Sequence, residues 1–138
     1  MDNIHASCIS IKQKGVLILG DSGSGKSDLC LRLIMEFGAK LVADDRVDIK
    51  AEKNTVIASA PKTLKGLMEV RGIGIIKLPI KTQTKIDLVI SLVNKQEDIE
   101  RMPEYEFFKF GSINIPKIKL FAKESSASAK VLAALTML

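Results

Sequence analysis

Aromatic residues are scarce in this sequence: they make up 4% of the 138 residues, and tryptophan is absent. Proteins that bind single-stranded nucleic acid usually stack bases on several aromatic rings, and this composition offers no obvious stacking platform. The formal net charge of +5 comes from lysines that are scattered along the chain rather than gathered into one stripe. Such a charge helps to attract an anionic nucleotide or an acidic protein. We therefore expect no nucleic-acid partner and interpret most lysines as solubilising.

Long apolar runs, a leader segment and metal-ligand cysteine spacings are also missing. The apolar stretches have strand length and are interrupted by charge, far short of a membrane span. The N-terminus, MDNIHASCIS, has no basic segment followed by an apolar one, so we expect no secretory signal. Cys8 and Cys30 lie in apolar contexts, which favours buried free thiols over a disulfide. These features predict a cytoplasmic protein without a membrane partner.

One compact domain over residues 1–138 is expected, because the length and the 46% hydrophobic content allow a single core. Apolar residues at every fourth position predict a helix from Lys26 to Phe37, with Gly38 as a left-handed C-terminal cap. Apolar runs and alternations bounded by turn residues predict strands within His5–Ile11, Val16–Leu19, Leu41–Ala43, Val47–Lys50, Val56–Ala60 and Ile86–Val93. The strands Val47–Lys50 and Val56–Ala60 are expected to form a hairpin around Glu52-Lys53-Asn54.

The later part of the chain gives weaker signals. Val70–Leu78 favours loop and strand over helix because it combines two glycines with β-branched residues. Phe107–Phe121 is β-rich, with Pro116 limiting it to edge positions. Ser125–Met137 is predicted to be a helix capped by Ser126 or Ser128.

A glycine-rich segment, GDSGSGKS, lies between a predicted strand and the predicted helix. It matches the full Gly-x-x-x-x-Gly-Lys-Ser pattern of a P-loop. Glycines let the backbone wrap around phosphate oxygens and aim its N–H groups inward, and the helix adds the positive end of its dipole. Lys26 would reach the β- and γ-phosphates, and the Ser27 hydroxyl would ligate Mg²⁺. We predict nucleotide binding by Gly20, Asp21, Ser22, Gly23, Ser24, Gly25, Lys26 and Ser27.

Two adjacent carboxylates, Asp44 and Asp45, end the strand that follows the predicted helix. P-loop proteins keep an acidic metal or base residue at this place, although aspartate is also common in solvated turns. One carboxylate of such a pair can serve the metal while the other accepts a proton from an attacking hydroxyl. The position relative to the P-loop favours a catalytic role for the pair.

The segment Asn94-Lys95-Gln96-Glu97 imitates the guanine-reading Asn-Lys-x-Asp element of GTPases. It has Glu in place of Asp, and no Asp-x-x-Gly segment follows the strand that ends at Asp44. We therefore interpret it as a strand-end turn.

Four segments together, IHASCI, GDSGSGKS, LVADD and MEVRGIGII, resemble the catalytic domain of the HPr kinase/phosphorylase family, which phosphorylates a serine of the bacterial phosphocarrier protein HPr. The resemblance runs from about Ile4 to Arg101. It implies an α/β P-loop domain with a mixed β-sheet and flanking helices, similar to the HPr kinase core and to PEP carboxykinase. Family members usually carry an additional N-terminal domain, so this chain is expected to be a short form.

The resemblance also implies roles for residues outside the P-loop. His5 matches the active-site histidine of the family and Arg101 its active-site arginine. Asp44 and Asp45 match the acidic pair that supplies the proton acceptor, and we expect Asp45 to be the base. Glu69 matches a second Mg²⁺ ligand. The element needed for both directions of catalysis contributes Glu69, Val70, Arg71, Gly72 and Gly74.

One departure from the family concerns the reverse reaction. Family members have a Pro-x-Arg-Pro-Gly-Arg-like loop after the last core strand, and the corresponding stretch is placed here at Ile115–Leu120. That stretch contains neither Gly nor Arg. Phosphorolysis of the phosphorylated carrier is therefore doubtful.

The sequence and the resemblance together imply an ATP- and Mg²⁺-dependent serine kinase of an HPr-like carrier that forms a homo-oligomer, and the resemblance implies the family's hexamer. Two other classes stay open. A P-loop alone cannot distinguish a carrier protein from a small molecule as the hydroxyl acceptor, although no Arg-rich lid segment is found. A nucleotide-binding regulatory module without turnover is the other, and the intact set Asp44, Asp45, Glu69 and Arg101 argues against it.

Overall fold

The computed structural model of the protein describes residues 1–63 and 65–138. Strands dominate this part of the chain. They are β1 (Asp2–His5), β2 (Ser7–Ile11), β3 (Lys14–Leu19), β4 (Lys40–Ala43), β5 (Arg46–Glu52), β6 (Thr55–Ser59), β7 (Leu67–Val70), β8 (Gly74–Lys77), β9 (Gln83–Leu92), β10 (Glu106–Phe110) and β11 (Ile113–Leu120). The α-helices are α1 (Lys26–Phe37) and α2 (Ala127–Leu135), and a 3-10 helix covers Gln96–Asp98. The fold is therefore mixed α/β.

The main sheet is built around β9. One edge of β9 pairs in parallel with β3. The other edge pairs first with β6, antiparallel along Gln83–Lys85, and then with β11, parallel along Val89–Leu92. Because β3, β9 and β11 run in parallel, their carboxyl ends meet on one side of the sheet, where ligands bind in many α/β proteins. The glycine-rich segment that follows β3 starts from this side.

The main sheet curls back on itself. Its strands follow the order β1-β5-β6-β9-β3-β2-β4, with β10 and β11 attached through β9. β4 is at one end of this order and β5 is next to the other end, yet only Asp44 and Asp45 connect them. A link of this length spans about 10 Å at most. The two ends of the sheet must therefore lie close together, and the acidic pair sits where they meet.

Both faces of the central strands are buried. In β3, Val16 and Ile18 belong to the apolar cluster that includes α1 and α2, whereas Leu17 belongs to the cluster enclosed by the curled sheet. This explains why β3 is a continuous apolar run rather than an alternating one. The helix-side cluster includes Ile9, Leu29, Leu33, Leu88, Ile90 and Val131. The enclosed cluster includes Cys8, Val42, Val47, Ile49, Val56 and Val89.

The locally coded elements agree with the sequence predictions. Helix α1 has the predicted bounds, and Gly38 adopts φ 74° and donates its N–H to the carbonyl of Ile34. The predicted hairpin is formed by β5 and β6. Its turn residues, Lys53 and Asn54, have φ values of 50° and 65°, as a tight hairpin with right-handed strand twist requires.

Two weaker predictions need correction. Pro116 lies opposite Phe107 of β10, one residue before the pairing of β11 with β9 begins at Lys117. The edge expectation is therefore correct for Pro116, which lacks an N–H and pairs on one side only, whereas Lys117 pairs with both β10 and β9. In α2, Ser126 occupies the capping position without a side-chain cap hydrogen bond, and Ser128 is inside the helix.

The two thiols are buried and free, as predicted. Burial raises the pKa of Cys8 to about 12, because the thiolate would lose its hydration. Burial also raises the pKa of Cys30, chiefly for the same reason. Both side chains therefore act as neutral packing groups. Within the described ranges, neither α-helix is long and apolar enough to cross a membrane.

Candidate functional site

The glycine-rich segment connects β3 to α1 and wraps around the first turn of the helix. Gly23 and Gly25 have φ values of 82° and 99°, a left-handed conformation that side chains with a Cβ rarely adopt. Gly25 is the N-terminal capping residue, and the first helical hydrogen bond is donated by Leu29 to its carbonyl at 2.9 Å. The N–H groups before Leu29 have no partner within the helix. This arrangement forms a concave, partly positive surface suited to an anion.

Lys26 supplies a full positive charge at the same place. Its side chain is only 9% exposed, and its Nζ donates to the carbonyls of Gly20 at 2.6 Å and Asp21 at 3.2 Å. The ammonium group is therefore held against the loop instead of extending into solvent. A fixed cation next to free backbone N–H groups is the chemistry that phosphate oxygens require.

Asp44 is connected to the start of α1 and to β2 by hydrogen bonds from two serine hydroxyls. Its Oδ1 accepts hydrogen bonds from Ser27 Oγ at 3.2 Å and from Ser7 Oγ at 2.9 Å. Ser7 is fully buried at the start of β2, and Asp44 is half-buried. Three segments that are distant in sequence thus meet at one carboxylate oxygen.

Asp45 projects from a strained turn next to Asp44. Its φ is 71°, and the N–H of Arg46 donates to the carbonyl of Asp44 at 2.8 Å across it. This is the hydrogen-bond pattern of a γ-turn with positive φ, which is rare and strained for a residue with a side chain. The turn aims the carboxylate of Asp45 at His5, whose Nδ1 lies 3.3 Å from Oδ1. Both side chains stay accessible, since Asp45 is 75% and His5 is 40% exposed.

A cleft of about 320 Å³ lies between these groups. Its lining combines the loop and the Lys26 cation with the carboxylate of Asp45 and the imidazole of His5. Its lining residues are His5, Ser22, Gly23, Gly25, Lys26, Ser27, Asp28 and Asp45.

The donors at this cleft fit Mg²⁺. This ion prefers oxygen ligands and is usually held by one or two carboxylates or hydroxyls, with phosphates and water completing its octahedron. Ser27 and Asp44 supply such oxygens side by side. In residues 1–63 and 65–138 no group of three His, Cys, Asp or Glu side chains forms a closed protein cage for a metal. An open site of this kind suits an ion that binds together with a phosphate ligand.

The other predicted site residues lie elsewhere. β7 and β8 form a separate two-stranded sheet, and its turn, Glu69–Gly74, lines a cavity of about 490 Å³ made from its own residues. The side chain of Glu69 is exposed, as are Arg71 and both glycines. Gly72 and Gly74 have φ values of 87° and 121°, which explains the need for glycine in this turn. Neither this turn nor the exposed Arg101, which precedes β10, is among the residues that line the cleft in the described part of the chain.

The structure corrects where the loop that follows the last strand is placed in this chain. Ile115–Leu120 lies inside β11, so the connection after the last strand is Phe121–Ser126. Strand pairing, which the local sequence could not reveal, sets this boundary. The connection FAKESS also contains neither Gly nor Arg. The inference of a missing anion-binding loop therefore applies to this connection instead.

Sequence reasoning missed Ser7, Asp28 and Arg32 as contributors to the site. A signal existed for Ser7, because a serine inside the buried strand SCISI needs a hydrogen-bond partner. Arg32 and Asp28 are four residues apart on α1, a spacing that allows an ion pair on any exposed helix. Only the structure places Asp28 in the cleft.

Three comparisons relate this chain to known proteins. Residues 1–137 match the family described as HPr Serine kinase C-terminal domain. The HPr kinase/phosphorylase of Lactobacillus acidophilus is 48% identical over 101 residues, covering 67% of this chain and 31% of that protein. The HPr kinase/phosphorylase of Pediococcus pentosaceus is 37% identical over 147 residues, covering 99% of this chain and 47% of that protein. These curated relatives are thus at least about twice as long as this chain.

A solved structure, that of the Hpr(Ser) kinase/phosphatase from Coxiella burnetii, has the same fold. It superposes with a TM-score of 0.80 at 33% sequence identity and covers 99% of this chain and 95% of that chain.

Removing the Ser7 hydroxyl should show how much its hydrogen bond to Asp44 contributes to the stability of the protein. We predict that Ser7→Ala lowers the free energy of unfolding by about 1–3 kcal/mol, because a half-buried carboxylate loses a charge-assisted hydrogen bond. Ser10→Ala is the matched control, since Ser10 is buried on the same strand without a contact to Asp44 among the described residues. Urea unfolding of both variants checks this, and equal losses would contradict it.

Proposed function

This chain belongs to the HPr Serine kinase C-terminal domain family, and from that membership we propose that it is an ATP- and Mg²⁺-dependent kinase of a serine on an HPr-type phosphocarrier protein. The observation that carries the proposal is one cleft lined by the Lys26 cation, by Ser27, which is hydrogen-bonded to Asp44, and by the Asp45–His5 pair. The expected homo-oligomer stays a prediction.

We propose that residues Gly20–Ser27 act as a P-loop and bind the phosphates of ATP. The unpaired N–H groups around Gly25 and the Lys26 ammonium would bind the β- and γ-phosphate oxygens. Because Lys26 is already fixed at the loop, little side-chain order has to be gained on binding. The carbonyls that hold its Nζ would have to share the ammonium with phosphate, which its three N–H donors allow.

Ser27 and Asp44 would hold Mg²⁺ at the entrance of the same helix. The ion supplies charge neutralisation for the β- and γ-phosphates. The hydrogen bond between Ser27 and Asp44 keeps the two oxygens next to each other beside the cleft that Ser27 lines. The family resemblance assigns a further Mg²⁺ contact to Glu69, and that role requires the β7–β8 turn to approach the cleft when substrates bind.

Asp45 is the general base of this proposal. Its carboxylate is exposed in the cleft and is not engaged by the hydroxyls that hold Asp44, so it can accept the proton of an incoming serine hydroxyl. His5 would orient this carboxylate from 3.3 Å. The family resemblance assigns Arg101 the stabilisation of charge on the transferred group, and that role requires Arg101 to approach the cleft when substrates bind. Catalysis would then come from positioning and electrostatics, without a covalent enzyme intermediate.

Lys26→Ala should reduce phosphoryl transfer by at least about a hundredfold, because it removes the cation that offsets charge on the β/γ-phosphates. The assay incubates the protein with ATP, Mg²⁺ and an HPr-like carrier and locates phosphate by intact-mass and peptide mass spectrometry. Lys50→Ala, an exposed lysine of β5, is the control and should keep full activity. A Lys26→Ala variant that retains a tenth of wild-type turnover would overturn the assignment of the loop.

Asp45→Asn and Asp44→Asn should separate chemistry from metal binding. Asp45→Asn keeps the turn and the phosphate site but removes the base, so ATP binding should persist while transfer is lost. Asp44→Asn should weaken Mg²⁺-dependent ATP binding as well. Calorimetry and the kinase assay on the same preparations decide the matter. Retained activity in Asp45→Asn with loss in Asp44→Asn would exchange the two roles.

The forward reaction should greatly exceed phosphorolysis. Attack of phosphate on phosphoserine needs a second anion site, which glycine-freed N–H groups and arginine forks would provide. The connection Phe121–Ser126 offers Lys123 as its cation, without the planar fork of arginine. Phosphorylated carrier with Mg²⁺ and millimolar phosphate should therefore release little pyrophosphate. Release as fast as the forward transfer would refute this expectation.

A further inference from the structure

A carboxylate lies at the end of the cleft where phosphates are proposed to bind. Asp28 is in the first turn of α1, next to Ser27, and it lines the cleft. An acidic residue in this turn is favourable for the helix dipole. The same charge opposes an incoming polyphosphate, because like charges repel at this range. The cleft thus contains one group that works against its proposed ligand.

Arg32 faces Asp28 from the next turn of α1. Its Nε lies 3.1 Å from Asp28 Oδ2, and its side chain is 22% exposed compared with 69% for Asp28. The Nε makes no aligned hydrogen bond among the described residues, so the contact is an ion pair rather than a directed bond. Arg32 therefore compensates the charge of Asp28 without itself lining the cleft in the described part of the chain.

The guanidinium of Arg32 is fixed by the segment that follows β11. One terminal nitrogen donates to the carbonyl of Ala122 and the other to the carbonyl of Glu124 at 3.3 Å. The side chain of Glu124 is itself held by Gln96 at 2.9 Å and Lys130 at 2.5 Å. Arg32 is therefore anchored on both sides, unlike the mobile partner of an ordinary surface ion pair.

The anchoring segment also touches the glycine-rich loop. A Cβ built on Gly25 would come within 3.1 Å of Ala122 Cβ. Arg32, by binding the carbonyl of Ala122, keeps this methyl group against the loop at the residue where α1 begins. The Arg32 side chain thereby contacts both the carboxylate of Asp28 and the Ala122 segment that packs next to Gly25.

We propose that Arg32 is a positioning residue for phosphate binding, which acts by neutralising Asp28 in the cleft, while its hydrogen bonds to the Ala122–Glu124 segment fix the guanidinium and contribute to stability. This inference rests on the proposed binding of ATP at residues Gly20–Ser27. Its electrostatic part makes a prediction that a purely structural tether does not. If Arg32 acts by cancelling the charge of Asp28, then removing that charge must restore the MgATP affinity that is lost when Arg32 is replaced.

A double-mutant cycle tests this by calorimetric titration of the full chain with MgATP at low and moderate salt. Arg32→Gln should weaken MgATP binding about three- to tenfold at low salt and less at higher salt, where the charge of Asp28 is screened. Arg32→Gln/Asp28→Asn should bind within about twofold of wild type. Both variants should show the same loss of melting temperature, because both lack the tether to Ala122 and Glu124.

Two further variants keep the test decisive if Arg32→Gln folds poorly. Arg32→Lys retains the charge and should bind MgATP within about twofold of wild type despite a lower melting temperature. Asp28→Asn alone affects an exposed side chain and should bind MgATP at least as tightly as wild type. Weaker binding in Asp28→Asn, or a double variant that binds as poorly as Arg32→Gln, would overturn the inference. Absence of MgATP binding in the wild type would instead refute the proposed function on which the inference rests.

Discussion

One oxygen of Asp44 accepts hydrogen bonds from two serine hydroxyls, and the arrangement of the cleft depends on this contact. Ser27 brings the start of α1 to this oxygen, Ser7 brings the start of β2, and Asp44 itself directly follows β4. The curled sheet makes this meeting possible, since β4 and β5 come from opposite ends of the strand order and are joined by two residues. The proposed phosphate, metal and base groups therefore share one point of reference, and a shift in any of the three segments would be felt by the others.

Features coded within a few residues could be predicted from the sequence. The bounds of α1, the cap at Gly38 and the hairpin turn at Lys53–Asn54 depend on local periodicity and on glycine or asparagine tolerance of positive φ. The glycine-rich loop and the acidic pair were also found, because their chemistry is carried by contiguous residues. Asp44 and Asp45 could not be distinguished locally. The structure separates them, since Asp44 is engaged by two hydroxyls and Asp45 faces His5.

Features that arise from pairing between distant segments could not be read from the sequence. The range of β11 is an example, because β10 and β9 extend the strand beyond what its proline suggests. The same applies to Ser7 and Arg32, whose partners are 37 and up to 92 residues away. The turn Glu69–Gly74 gives the opposite case: Gly72 and Gly74 were singled out as members of a catalytic element, and both have positive φ, whereas the cavity that this turn lines shares no lining residue with the cleft. Sequence patterns indicated individual candidate residues more readily than they indicated which of those residues are in contact.

At the strained turn of Asp45, the residue that would be best for stability differs from the residue that the proposed reaction needs. At φ 71°, glycine would suit the backbone better than any residue with a Cβ, yet glycine has no carboxylate to offer the cleft. The cost is of order 1–3 kcal/mol, a noticeable share of the stability of a small domain. A lineage that lost the need for the reaction would be free to replace this aspartate and gain stability. If Asp45 is the proposed base, retention of an acidic residue here marks a chain that still uses the site, and replacement by glycine marks a copy that has kept the fold and given up the chemistry.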